Sequence, residues 1–381
     1  MNAAVPVLPG RIDRLAGETV LKRGLGPLAK KLMAMSPAPG MPEAHVYYLA
    51  NRISFAQIYP FLHYRRVIAR RHGVALRFLP AEPLIDGAAP AAGGARHVLF
   101  QTWFDIAEGP LRRMMADLHA ASPDASLDFI DSFAPADLRL GRIVDPHIRF
   151  YLKKSLFSQR EDHLRVWNGE TNIEAYLAET FGRDAAPVDM GVPPSILPKL
   201  MLSPNFITAP RFFRPFLAAP VPPEGERPID VHARLGVAGG IREDLRKLAL
   251  DRLAQAPGHH LATGEHVPLE TFMREMRSSK LCLSPFGFGE ICWRDVEAIE
   301  AGAVMIKPDM DHLDTLPDLY ERDVTYLAVR WDYADLEEVV ARALGDADLR
   351  ARIARSAWSR IHDYLSQDRF LDDMAPLWDA P

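Results

Sequence analysis

Cysteine is nearly absent from this chain: two in 381 residues, Cys282 and Cys292, with no CxxC and no Cys-His spacing. That argues against a disulfide framework and supplies no zinc ligand set. Both thiols fall in or beside stretches that read as buried, so free cysteines in a reducing cytoplasm are expected. Long apolar runs are missing too. Nothing approaches the roughly twenty residues that cross a bilayer, and the N-terminus has no continuous apolar signal core. The cytoplasm is the expected compartment. There is no basic excess: 45 Lys and Arg stand against 50 Asp and Glu, a net charge of -5. This disfavours a nucleic-acid partner, whose phosphates would need neutralising. A GxGxxG fingerprint is lacking, so a dinucleotide and hydride transfer are not indicated. No internal repeat is present.

What remains is an ordinary globular composition, 48% hydrophobic and 25% charged, which can bury a core. The length exceeds what one core usually supports, so two domains are expected. Prolines number 32 and cluster at 37–42, 187–198 and 215–228, marking loops. Residues 1–44 read as an extension. Between Arg11 and Lys31 six basic residues face two acidic ones among interleaved leucines. A short helix packing back on the domain is the favoured reading of this basic segment. Contact of residues 11–35 with an anionic membrane surface is the other.

From His45 strands and helices alternate. Strands are predicted at His45–Ala50, Val74–Leu79, His97–Thr102 and Leu127–Asp131, with helices at Phe55–His72 (Pro60 in its first turns) and Pro110–Ala120. This is a Rossmann-like α/β domain over 45–216. The loops at the carboxyl ends of its strands are where such a sheet binds ligands: Asn51-Arg52, Trp103-Phe104-Asp105 and Asp131-Ser132. Arg149–Phe157 reads as one further strand. Residues 217–228, LAAPVPPEGERP, are the expected linker. A second Rossmann-like domain spans 229–365, opening with the strand Ile229–Leu235, the turn Gly236-Val-Ala-Gly239-Gly240 and a helix from Arg242 to Gln255. Residues 366–381 form a terminal helix.

The stretch Ser279 to Pro308, SSKLCLSPFGFGEICWRDVEAIEAGAVMIKP, organises the rest. It reads as strand Lys280–Ser284, a glycine turn, helix Glu290–Ala301 and strand Ala303–Lys307, a βαβ unit. Cys292, Val296 and Ile299 give an apolar stripe, while Glu290, Arg294 and Glu297 give a charged face. Backbone N–H groups of the turn, at a helix N-terminus, are expected to receive an anion.

At these residues the chain resembles the nucleotide-binding half of GT-B glycosyltransferases, more narrowly the exostosin-like ones. The motifs are Leu281-Cys-Leu-Ser-Pro285-Phe-Gly287, Arg294-Asp-Val-Glu297, Ala298-Ile-Glu-Ala-Gly302 and Ala303-Val-Met-Ile306. The resemblance implies a GT-B-like α/β fold of two Rossmann-like domains facing a cleft. It also implies that Glu297 holds the ribose of a nucleotide sugar and that Arg294 lies near its phosphates. Gly239, Gly240, Arg242, Pro285, Gly287, Gly289 and Glu290 complete the expected donor site. The retaining signature has a second glutamate before the helix; counting back from Glu297 gives Gly289, with Glu290 one residue along, so inversion or retention stays open. Asp309 and His312, in a loop similar to the family's, are expected at the cleft. The first domain then faces the acceptor, and a base there would take the proton of the attacking hydroxyl. Asp105 fits best, Asp131 second and His63 third.

The expected function is metal-independent glycosyl transfer from a nucleotide sugar to a glycan or lipid-linked acceptor in polysaccharide biosynthesis, with no cofactor; Asp309-Met-Asp311-His312 is the nearest thing to a metal cluster. The rival readings are a nucleotide-sugar epimerase on the same fold and a noncatalytic carbohydrate-binding protein.

Overall fold

The computed structural model describes residues 31–36, 39–236, 241–255, 258–264 and 266–379. Gly239, Gly240 and most of the basic segment 11–35 lie outside them, and Arg242 is described in its backbone only.

The first sheet is built from β1 (Glu43–Tyr48), β2 (Ala75–Pro80), β3 (Ala95–Phe100), β4 (Ser126–Asp131), β5 (Phe150–Lys153) and β7 (Leu200–Leu202), all parallel, in the order β2-β1-β3-β4-β5-β7. Its central strands are buried on both faces, as parallel strands covered by helices must be. Helix α1 (Arg52–His72) starts where Asn51 accepts hydrogen bonds from the N–H groups of Ile53 and Ser54, and stops at Gly73 with φ 66°. Pro60 sits well inside this helix, beyond the first turns where the sequence reading placed it. It cannot donate to the carbonyl of Ala56, and the Thr208 hydroxyl does so instead at 2.7 Å.

The single strand expected at Arg149–Phe157 is two. After β5 the chain turns at Lys154, and β6 (Ser155–Phe157) leaves the sheet to pair antiparallel with β12 (Leu313–Thr315) from the second half of the chain. A period-2 apolar pattern cannot tell one strand from two that serve different sheets.

The second sheet contains β8 (Ile229–His232), β9 (Leu261–Ala262), β10 (Ser279–Leu283), β11 (Val304–Pro308) and β13 (Leu327–Val329), all parallel, in the order β9-β8-β10-β11-β13. Numbered within each sheet, the second runs 2-1-3-4-5 and the first 2-1-3-4-5-6, the doubly wound order whose switch point lies between strands 1 and 3. The layout is two Rossmann-like domains, GT-B-like as the sequence implies. Their carboxyl edges meet. Gly289 is packed so tightly on the first domain that a Cβ there would lie 2.5 Å from the carbonyl of Ala134. Residues 369–378 return to the first domain, where Phe370 and Trp378 meet Phe61 edge-on at 4.9 and 6.2 Å. No helix among the described residues is long and apolar enough to cross a membrane.

Candidate functional site

The helix after β10 begins later than the charge pattern suggested. Helix α7 is Trp293–Ala301, with Cys292 as its N-cap, so Glu290 precedes it and Cys292 belongs to no stripe. Asp295 explains the start. Its carboxylate accepts from the backbone N–H of Cys292 at 2.9 Å, the Ser284 hydroxyl at 2.5 Å, the Tyr320 hydroxyl at 2.7 Å and the Lys307 ammonium at 3.2 Å. The positive end of the helix thus holds the chain's own buried anion. The turn is closed as well, since the N–H of Gly287 donates to the carbonyl of Gly289 at 3.0 Å. The expected anion cradle at Pro285, Gly287 and Gly289 is therefore corrected. A Cβ at Gly287 would lie 3.1 Å from the Cys292 sulfur, and Gly289 serves the domain contact. These glycines permit close packing.

The charges of α7 gather instead around a cavity of about 340 Å³. Arg211, Arg234, Gly236, Gly264, His266, Phe272, Arg294 and Glu297 are among the residues lining it. The cavity lies beyond the carboxyl ends of β8 and β9, beside the second sheet's switch point, where an open α/β sheet binds ligands. Glu297 is nearly buried, and its Oε1 accepts from Arg211 at 3.0 Å. Arg294 donates to the backbone carbonyl of Arg234 at 2.6 Å and lies 5.3 Å from the Phe272 ring centre. Its Nη1 is buried with no hydrogen-bond partner. Arg234 grips Glu275 through two bonds of 2.5 and 2.8 Å, which hold that carboxyl below its ordinary value. Three guanidiniums and one carboxylate thus line the cavity, a set suited to an anion that also carries hydroxyls.

Arg294 and Glu297, both named from the sequence, line this one cavity, whereas its other lining residues Arg211, Arg234, His266 and Phe272 were not named. Arg234 was hidden inside a strand read as Ile229–Leu235, although β8 ends at His232. Arg211 comes from helix α4 (Pro210–Ala218), which no local pattern links to this cavity.

At the first sheet, the three loops named from sequence do converge. Asn51, Ile53, Trp103, Phe104, Ser132 and Phe133 line a cavity of about 280 Å³, closed from the second domain by Phe288. Asp105 is exposed on the same turn as Phe104. Asp131 is placed differently: buried, it accepts from the N–H of Phe133 at 2.8 Å and from the Tyr151 hydroxyl and Lys153 ammonium at 2.7 Å each. A carboxylate so saturated is poorly placed to take a proton from an acceptor. His63 is buried in α1 against Tyr59, Tyr64 and Phe213.

Glu290 and His312 come within 3.6 Å of each other, and Asn172 of the first domain donates to Glu290 at 2.8 Å. Burial works to raise the Glu290 carboxyl; His312 and Asn172 outweigh it, and the group lies below its ordinary value. Asp309 and Asp311 both turn to Arg322. No group of three or more His, Cys, Asp or Glu suited to a metal ion occurs among the described residues.

No protein-family model and no curated protein matches this sequence. Solved structures resemble it in layout. A mutant of TarM from S. aureus, in complex with Fondaparinux, alpha-GlcNAc-glycerol and UDP, aligns with a TM-score of 0.43 and 11% identity over 74% of this chain and 55% of that one. This chain thus spans about half the length of TarM. A trehalose-6-phosphate protein from E. coli bound with UDP-2-fluoro glucose gives 0.46 and 10% over 88% and 99%. T4 phage BGT with its UDP-glucose substrate gives 0.41 and 11% over 89% and 100%. At such scores and identities the likeness says nothing of activity.

Proposed function

We propose that the protein is a glycosyltransferase of GT-B type that moves a sugar from a nucleotide-sugar donor to an acceptor hydroxyl without a metal ion. One observation carries this reading: the switch-point cavity of the second sheet offers Arg211, Arg234 and Arg294 for a diphosphate and Glu297 for a ribose diol. The arginines take the role that a divalent ion would otherwise fill as the leaving diphosphate gains charge. Ribose hydroxyls replace the Arg211 guanidinium on Glu297, which turns that arm of Arg211 to phosphate while the other stays on Glu300. The acceptor oxygen then attacks the anomeric carbon, the bond from that carbon to the diphosphate breaks, and Asp105 takes the hydroxyl proton in an inverting reaction. The reading keeps a glycan or lipid-linked acceptor and a cytoplasmic setting.

Calorimetry with nucleoside diphosphates in EDTA tests the donor site. Binding is expected to persist in the chelator. Glu297→Gln should weaken it about 10- to 100-fold, the scale of one charged hydrogen bond at about 1.5 to 3 kcal/mol, and Arg294→Ala similarly. Unchanged affinity in both variants, or binding that returns only with magnesium or manganese, overturns the reading.

A further inference from the structure

Ten large apolar side chains are exposed among the described residues, and four of them, Ile53, Trp103, Phe104 and Phe288, line the one cavity at the first sheet's switch point. They are between 37 and 54% exposed. Scattered apolar residues need no explanation, but this convergence does. No charged side chain lines the cavity among the described residues. Asn51, Ser54 and the Ser132 carbonyl are engaged within the fold: Asn51 accepts from the N–H groups of Ile53 and Ser54 and donates to the Ser54 hydroxyl at 2.9 Å, and the carbonyl of Ser132 accepts from Lys154 at 2.6 Å. A hydroxylated ligand would find few partners there.

Across one aromatic wall charged side chains appear. Phe104 stacks on Phe133 at 4.6 Å, and Phe288 of the second domain meets them at 6.4 and 6.2 Å. The far side of these three rings forms part of a second cavity of about 370 Å³, where Arg139, Glu170, Thr171 and Glu174 supply polar groups. Arg139 lies 3.8 Å over the Phe133 ring and is held there by Asp137. Two adjoining spaces sharing one wall, one with no charged side chain and one with three, fit a molecule that is itself divided.

We propose that these paired cavities bind an amphipathic acceptor, its hydroxylated head on the side of Arg139 and Glu170 and an aliphatic or isoprenoid tail in the pocket of Ile53, Trp103 and Phe288. This rests on the glycosyltransferase reading and names the acceptor class for it. Asp105, on the turn that carries Phe104, then stands near the junction of head and tail.

The test is a chain-length series. Methyl, butyl, hexyl and octyl β-D-glucopyranoside, kept below their micelle concentrations, are titrated into the full-length protein while quenching of tryptophan fluorescence is followed. Affinity should rise about fourfold per methylene until the pocket is full. Phe288→Ser and Ile53→Asp should each flatten the series by tenfold or more at the octyl member. Both positions are exposed, and an aspartate in the first turn of α1 suits the helix, so neither change threatens folding. Equal affinity for methyl and octyl glucoside, or an unaltered series in both variants, overturns the proposal. So does a fall in mass by sedimentation on Ile53→Asp, which would make the patch a protein interface. No nucleotide enters this titration. A flat series therefore sinks the acceptor inference alone, and failure to bind nucleoside diphosphates sinks the donor reading.

Discussion

At the carboxyl edge of each sheet stands a buried aspartate held by a lysine and a tyrosine. In the first domain it is Asp131 with Lys153 and Tyr151; in the second it is Asp295 with Lys307 and Tyr320. The trios do different work. Asp131 also takes the N–H of Phe133 and so shapes the loop that carries the apolar cavity. Asp295 caps α7 and so aims Arg294 and Glu297, one residue before it and two after, at the other cavity. The most conspicuous buried charges at both sheet edges are thus locks, and the groups that line the two cavities stand beside them.

The largest expected effect tests that parity. Asp131→Ala and Asp295→Ala each leave a buried lysine without its counter-charge, and each should cost about 3 to 5 kcal/mol in urea unfolding. Should Asp131→Ala keep the wild-type midpoint, the parity breaks and Asp131 returns as a candidate base. Next in size, Asp105→Asn should lower kcat about a hundredfold or more while leaving nucleoside-diphosphate affinity unchanged, because an exposed turn residue bears on the chemistry and on neither lock. Wild-type turnover would remove the first domain's candidate base.

A third effect is one of pH, and it too compares the halves. His163 in the first domain and His232 in the second are lowered to about 3 and about 4, in both cases chiefly by burial, with Lys153 and Arg160 or Arg294 adding to it. His163 accepts the N–H of Phe157 at 3.1 Å, which requires a neutral ring. Below pH 6.5 the unfolded chain takes up protons that the folded chain refuses. Stability is therefore full above pH 6.5 and falls as the pH drops towards 4, by about 1.4 kcal/mol per unit for each histidine. Urea midpoints at pH 7 and pH 5 check this, and His163→Gln should make the difference between them smaller; an equal difference in that variant would place the acid sensitivity elsewhere.

Much of the architecture was legible because its signals are local. Apolar strands between turn residues, the βαβ unit around Ser279–Pro308 and the placing of Arg294 and Glu297 three apart on a helix all follow from neighbours in sequence. Less local features were not legible. The buried place of Asp295, the residue that caps α7, depends on Tyr320 and Lys307, and the division of Arg149–Phe157 depends on a strand that comes 156 residues later. The role of Gly289 was misread for the same reason, since its near neighbour is Ala134 of the other domain. Arg211 reaches Glu297 only because α4 lies against α7, a contact 86 residues apart in sequence.

The ladder between β6 and β12 has a consequence for synthesis. Ser155, Leu156 and Phe157 are buried in the finished fold, yet Phe157 faces Leu313 and cannot pair until that residue has emerged. On a ribosome adding about 5 to 20 residues per second, the first domain therefore waits roughly 8 to 30 seconds with the apolar strand β6 unpaired, its edge uncovered. Such an edge is a template for any other strand, including the same one on a neighbouring nascent chain. The brevity of β6, three residues, limits that hazard: too short to hold a wrong partner firmly, it is long enough to clasp the two domains once both exist.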